Sequence, residues 1–224
     1  MKGTLITLLV LAGLASAATK SITLPGKDDF TWVAGSNASG IGKGPSSTEV
    51  MGQFINSVGN DKIGWFGGTG QSYGSGDYGS DITISSSDSF TFRSRPSLSG
   101  EYVALGIKLP ETAQSITLNF TADNKVGYSL WSYNSTKSIV TQLIGNTYAD
   151  GTGTKSFTGE YTTAPVTDDM LFVVWTANHS SGNASGGTDI TVSNISVSYE
   201  VPEPATATLS LLALAGLCVR RRRR

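Results

Sequence analysis

The sequence predicts an all-β chain: a two-sheet antiparallel β-sandwich, jelly-roll-like, with one short helix, an N-terminal signal helix and a C-terminal single transmembrane sorting helix. Three observations carry this. Apolar residues alternate with polar ones, as in "SITLNFT", where Ile116, Leu118 and Phe120 share one face and Ser115, Thr117, Asn119 and Thr121 the other; this is the period of a half-buried strand. Turn-forming clusters such as "TADNKVG", "YADGTGTK" and "HSSGNASGGTD" separate the alternating runs. Only one stretch has helical spacing.

Taken in chain order, Lys2 precedes the apolar run "LITLLVLAGL" at 5–14, followed by Ala15-Ser16-Ala17. A short cationic start, about ten apolar residues and an A-x-A site are the marks of a signal peptide over residues 1–17, too short to span a bilayer. No cysteine follows the run, so it is not a lipoprotein signal. In "SSTEVMGQFINSVG", Val50, Phe54 and Val58 recur every four residues behind Ser/Thr capping candidates, which predicts the helix. The stretch 64–79 holds seven glycines and reads as a loop.

Strands follow. "DITISS" pairs Ile82 with Ile84, "SFTFR" pairs Phe90 with Phe92, and "YVALGIKLP" groups Val103, Leu105, Ile107 and Leu109 above a wet face. "VGYSLWSY" and "SIVTQLIG" continue the series. "DMLFVVWTA" is continuously apolar, so it predicts a central strand covered on both sides. Trp32, Trp131 and Trp175 fall in strand-like runs and read as core. In "DITVSNISVSYEV", Ile190 and Val192 share one parity, while Ile195, Val197, Tyr199 and Val201 share the other. One extra residue near Ser193-Asn194 restores the face, the signature of a β-bulge. This ending resembles the jelly-roll domains of carbohydrate-binding modules, which implies sugar binding. No fixed-period repeat is present, which disfavours solenoids and propellers.

After Val201 the chain changes character. Pro202 and Pro204 fix φ and lack N–H groups. Residues 205–219 are apolar apart from Thr206, Thr208 and Ser210, and five arginines, 220–224, close the chain. A run apolar all round is not a soluble amphipathic helix. At about 15 residues it is shorter than a comfortable span of about 20, and its arginines mark the cytoplasmic side. Breaker, apolar run and basic end, in that order, resemble the PEP-CTERM sorting signal, with Pro202, Glu203 and Pro204 as the motif. The resemblance implies a Gram-negative bacterial host with exopolysaccharide production, export, and processing by an exosortase, a membrane cysteine peptidase that acts near the motif. The cut releases or anchors the protein at the cell surface. The expected organisation is therefore signal peptide 1–17, β-sandwich 18–200 and sorting signal 201–224.

Composition narrows the partners. The chain is near neutral at −1, but residues 19–200 hold 16 Asp and Glu against 10 Lys and Arg, a net charge of −6. No basic stripe exists to displace counterions, which argues against nucleic acid. The single cysteine, Cys218, lies in the tail, so the body relies on its core rather than disulfides.

The catalytic constellations are weak. "GQSYG" places Ser72 in a G-x-S-x-G pattern, but without the strand-to-helix elbow that exposes a nucleophile. Gly74, Gly76 and Gly79 fit G-x-G-x-x-G without the required strand before and helix after. His179, the only histidine, reads as a solvated loop residue, and one nitrogen ligand does not make a zinc site. Glu101 and Glu160 are the available carboxylate pair for glycoside hydrolysis, with nothing to bring them together. Asp28-Asp29, Asp168-Asp169 and Asp77 with Asp81 leave a structural calcium possible, though none matches a known loop. N-x-S/T triplets are abundant, as this Asn, Ser and Thr content brings them by chance. No catalytic residues, metal ligands or cofactor are expected.

The aromatics of 64–79 carry more. Trp65, Tyr73 and Tyr78 with Asp77 are the candidate ligand contacts, because flat rings stack on the apolar faces of sugars; for Trp65 and Phe66 core packing is the competing reading. The expected function is thus a non-enzymatic, exported cell-surface or matrix protein that binds polysaccharide. The alternative is a structural matrix or adhesion protein without a small ligand, and a hydrolase ranks last. The expected partners are an exosortase, the membrane before processing, and polysaccharide.

Overall fold

A computed structural model describes residues 18–33, 48–59, 62–69, 82–94, 101–124, 126–149, 157–162, 165–177 and 188–201. Residues 1–17, expected as a signal peptide, and the tail from 202 to 224 lie outside them. The strands are β1 (Ala18–Ser21), β2 (Phe30–Trp32), β3 (Gly64–Thr69), β4 (Thr83–Ser86), β5 (Ser89–Ser94), β6 (Glu101–Lys108), β7 (Ser115–Ala122), β8 (Val126–Asn134), β9 (Ile139–Ala149), β10 (Phe157–Thr162), β11 (Met170–Ala177) and β12 (Thr188–Val201), with α1 (Thr48–Val58) between β2 and β3. They form two six-stranded sheets. Sheet A runs β10-β7-β12-β5-β4 with β1 also on β12; sheet B runs β2-β3-β6-β11-β8-β9. The sandwich expected from the alternation is present.

The inner faces meet in one large core. Ile116, Leu118 and Phe120 of β7, Phe90 and Phe92 of β5 and Val197 of β12 pack against Val103, Leu105 and Ile107 of β6 and Val173 and Trp175 of β11. Sheet B buries its outer face too. There Met51, Phe54 and Ile55 of α1 cover Phe66, Tyr102, Ala104, Phe172 and Val174. The Phe54 ring meets those of Phe66, Tyr102 and Phe172 edge-on at 5.9–6.1 Å between centroids, a favoured aromatic geometry. Two expectations change accordingly. β6 has no wet face, because α1 lies over it. The buried stripe of α1 is centred on Met51, Phe54 and Ile55, with Val50 and Val58 at its margins. β11 is covered on both sides, as its unbroken apolar run predicts.

The sandwich is not wholly antiparallel. β2 pairs parallel to β3, with Phe30 opposite Trp65. Parallel neighbours need a crossover, usually a helix, and α1 lies in that connection. The stretch expected as a loop from 64 is strand β3 as far as Thr69. Its glycines misled the expectation because glycine in a strand signals close backbone approach as readily as a turn. Gly64 has φ +142°, and a Cβ there would sit 2.8 Å from the carbonyl oxygen of Asp29. Gly106, opposite Gly64 on β6, leaves 2.7 Å for the Lys62 carbonyl in the same sense.

The bulge in β12 is where the parity change predicts it. Ser193 pairs with Thr121, but the next partners are Ser196 and Asn119. The extra residue is absorbed at Asn194, whose φ of 53° is left-handed, a conformation asparagine tolerates better than most residues.

Candidate functional site

The two ends of the sandwich differ. At one end the chain enters and leaves the body together: Ala18 is paired with Val201 and Lys20 with Tyr199. The Lys20 ammonium lies 2.5 Å from Glu111 Oε1, and the Tyr199 hydroxyl donates to the same oxygen at 3.2 Å. The hydrogen bond from Lys20 holds the Glu111 carboxyl below its ordinary range, and the bond to Glu111 raises Lys20. Nearby, Ser115 Oγ donates to Glu200 Oε2 at 3.0 Å and the Gln114 N–H to the Glu200 carbonyl at 2.7 Å. The Leu109 N–H bonds the Asp169 carbonyl, tying sheet B to this end. Pro202, Glu203 and Pro204 follow Val201 and lie outside the described residues.

The register defines the opposite end. β12 begins there at Thr188, opposite Ser94. Ala122 of β7 is opposite both Val192 and Phe157, and on sheet B Thr69 is opposite Glu101 while Val126 is opposite both Ala149 and Ala177. The connections 70–81, 95–100, 150–156 and 178–187 leave from strand ends on this side. Of the expected ligand contacts, Tyr73, Asp77 and Tyr78 fall in 70–81, outside the described residues, as do Ser72 and His179.

Trp65 is corrected. It is wholly buried on the inner face of β3, its indole N–H donates to the Pro25 carbonyl at 3.3 Å, and its ring packs on Phe90 and Trp175. Alternation within β3 forces this: Trp65 points into the core and Phe66 toward α1. It is not available as a surface contact.

The acidic candidates are dispersed. Glu101 starts β6 in sheet B and Glu160 is opposite Asn119 in sheet A. Asp168 accepts from Ser132 Oγ at 2.5 Å; Asp169 accepts from the Ser135 N–H at 2.9 Å and from its hydroxyl. Partial burial raises the Asp169 pKa, but the Ser135 bonds, a further backbone hydrogen bond and the charge of Lys108 together outweigh it and leave the carboxyl below its usual value. Asp29 accepts from the Gly26 N–H at 2.9 Å. No group of three or more His, Cys, Asp or Glu able to hold a metal occurs among the described residues.

What the outer face of sheet A presents is hydroxyls, a feature that the polar half of each alternating strand already encodes. Register aligns Thr83, Thr91 and Thr191 across β4, β5 and β12. Ser193 aligns with Thr121, and Ser21 with Ser198 and Thr117. The Thr91 and Thr191 hydroxyls lie 3.3 Å apart. Charge on this face comprises the Arg93–Asp189 pair at 2.7 Å near one end, Glu200 at the other and, by its register opposite Asn119, Glu160 on β10. Among the described residues the large exposed apolar side chains are Ile63 and Ile139, and neither is aromatic.

Residues 200–224 match the PEP-CTERM protein-sorting motif. The chain carries this signal, which marks proteins exported and anchored transiently in the membrane before release at the cell surface. A search of curated proteins finds no match. Among solved structures, a CBM4 structure is similar at 14% identity and TM-score 0.40, covering 62% of this chain and 88% of its own. The N-terminal cellulose-binding domain of a Cellulomonas fimi β-1,4-glucanase C is similar at 14% identity and TM-score 0.37, covering 54% and 83%. A pectin-binding carbohydrate-binding module is similar at 15% and 0.29, covering 52% and 73%.

Proposed function

We propose that this is an exosortase-sorted surface protein whose sandwich binds polysaccharide through the segment 70–81, with Tyr73 and Tyr78 as stacking rings and Asp77 as a hydroxyl acceptor. One observation carries the reading. Thr69, where that segment leaves β3, is opposite Glu101 at the end of the sandwich away from Val201. The segment bearing two tyrosines therefore leaves the body from a strand end opposite the one at Val201, on a protein sorted to the cell surface. The uncharged hydroxyls of sheet A suit the same class of ligand, because each is both donor and acceptor, as sugar hydroxyls are.

The test is a glycan array with the exported, processed protein, followed by titration of the Tyr73→Ala, Tyr78→Ala variant. Loss of each stacked ring costs about 1–2 kcal/mol, roughly five- to thirtyfold in affinity, with no change in the melt. Binding unaffected by the double change rejects this segment as the site; no binding to any glycan rejects the reading.

A second reading, a matrix or adhesion protein with no small ligand, draws on the polar outer face of sheet A. It predicts a silent array and self-association through the processed body.

A further inference from the structure

We infer that the end of the sandwich at Ala18 and Val201 is a membrane-docking surface, which rests the folded body on the lipid while the sorting tail is inserted. The first support is tether length. Val201 is the last residue of β12, and only residues 202–204 separate it from the apolar run at 205–219. The four Cα–Cα steps from Val201 to residue 205 reach at most about 14 Å, so this end of the body stays within about two Debye lengths of the headgroups, a Debye length being about 8 Å at physiological ionic strength. An inserted tail therefore holds this end of the body near the headgroups.

The second support is what the end displays. Every lysine among the described residues lies here. Lys20 is on β1 opposite Tyr199, and Lys108 pairs with Met170 at the β6–β11 end. The Lys62 carbonyl abuts Gly106, and Lys27 belongs to the turn whose Asp29 abuts Gly64. Lys137 lies in the β8–β9 turn, close to Ser135, which bonds Asp169. Lys27, Lys62, Lys108 and Lys137 are exposed and form no ion pair among the described residues. The two large exposed apolar side chains are here as well: Ile63, 51% exposed, before β3, and Ile139, 50% exposed, at the start of β9. Acidic groups share this end in similar number, six carboxylates to five lysines among the described residues, and their hydrogen bonds orient them without removing their charge. Glu111 is bound to Lys20, Glu200 to Ser115, Asp168 to Ser132, Asp169 to Ser135 and Asp29 to the Gly26 N–H; Asp28 is exposed. Exposed lysines beside exposed isoleucines, with Lys108 also near enough to Asp169 to lower its pKa, are the elements of interfacial binding: cations for anionic headgroups and apolar side chains for the acyl boundary.

The experiment uses the full chain with Cys218→Ser, reconstituted in vesicles of three parts phosphatidylcholine to one part phosphatidylglycerol. Fluorophores are placed singly at Asp28→Cys and Thr136→Cys at the tail end, and at Asp123→Cys and Asp189→Cys at the other. Residue 189 lies about 40 Å along β12 from Val201. Nitroxide-labelled lipid is expected to quench the first pair and spare the second. Lys62→Glu with Lys137→Glu is expected to weaken quenching at 136, each charge reversal by roughly fivefold or more in surface affinity, and less so in pure phosphatidylcholine. A label on native Cys218 reports tail insertion. Insertion at 218 with no quenching at 28 or 136, or with equal quenching at all four sites, overturns the docking surface alone. Absence of insertion at 218 together with absence of quenching overturns both it and the membrane role of the tail.

Discussion

Trp65 and Trp175 lie against each other between the two sheets, ring centroids 6.2 Å apart and planes 25° from parallel. Trp175 also meets Phe90 at 5.2 Å and Phe120 at 6.0 Å, so the pair anchors an aromatic cluster bridging sheets A and B. Trp65→Ala removes the largest side chain of β3 from a fully buried position and is expected to destabilise the fold by about 3–5 kcal/mol. Chemical denaturation measures this, and a loss below about 1 kcal/mol would place Trp65 outside the core.

Tyr102 gives a prediction of opposite sign. Its hydroxyl is buried beneath α1 with no hydrogen-bond partner among the described residues, and burial pushes its pKa far above the usual tyrosine range. A buried hydroxyl without a partner costs about 1–3 kcal/mol. Tyr102→Phe keeps the ring contact with Phe54 and is expected to raise the melting temperature, as thermal unfolding will show; a clear drop would mean that the hydroxyl is satisfied in solution.

Asn194 tests the bulge. With φ at 53°, Asn194→Gly is expected to be neutral or slightly stabilising, whereas Asn194→Val carries the left-handed cost of about 1–2 kcal/mol. Equal melts for the two variants would remove the left-handed residue from the account of β12.

The β1 contact sets a pH dependence. Glu111 is depressed, chiefly by the hydrogen bond from Lys20, so its contribution is complete above the ordinary glutamate value of 4.5 and is lost as pH falls through the lower folded value. Lys20 is raised, so its share is present below its ordinary value of 10.5 and is lost as pH rises through the folded one. Both side chains are exposed, so salt screens the pair. In Glu111→Gln, the acid limb of the melting profile is expected to flatten, and an unaltered limb would show that the pair contributes nothing.

The sorting motif is tested in cells. Replacing Pro202, Glu203 and Pro204 together by alanine is expected to leave a membrane-held precursor of higher mass. Normal mass and normal surface delivery would show that the three residues are dispensable.

The sequence is most legible where one physical pattern dominates. Alternation places Ile116, Leu118 and Phe120 in the core, and the parity change in β12 locates its bulge to within one residue, because a strand's period of two tolerates no ambiguity once one face is buried. Expectation fails where two signals compete. Glycines at 64, 67 and 68 hide a strand whose Trp65 and Phe66 serve opposite cores. β6 looks half wet because its second apolar face, Tyr102 and Ala104, is completed only by a helix about fifty residues earlier in the chain. The parallel pairing of β2 with β3 follows from that same helix, and no local pattern in three residues of β2 announces it. Of the two readings open for Trp65, the buried one holds, and the glycine-rich composition around it conceals the strand that decides it.

β12 is the last strand of the body, and yet it occupies the interior of sheet A, between β7 on one side and β5 and β1 on the other. Among the described residues the first strand pairs only with the last. Sheet A cannot close around its central member until the whole body has been synthesised. Non-local pairing of this kind slows folding, and here completion of the sheet waits for the strand that runs directly into the sorting motif.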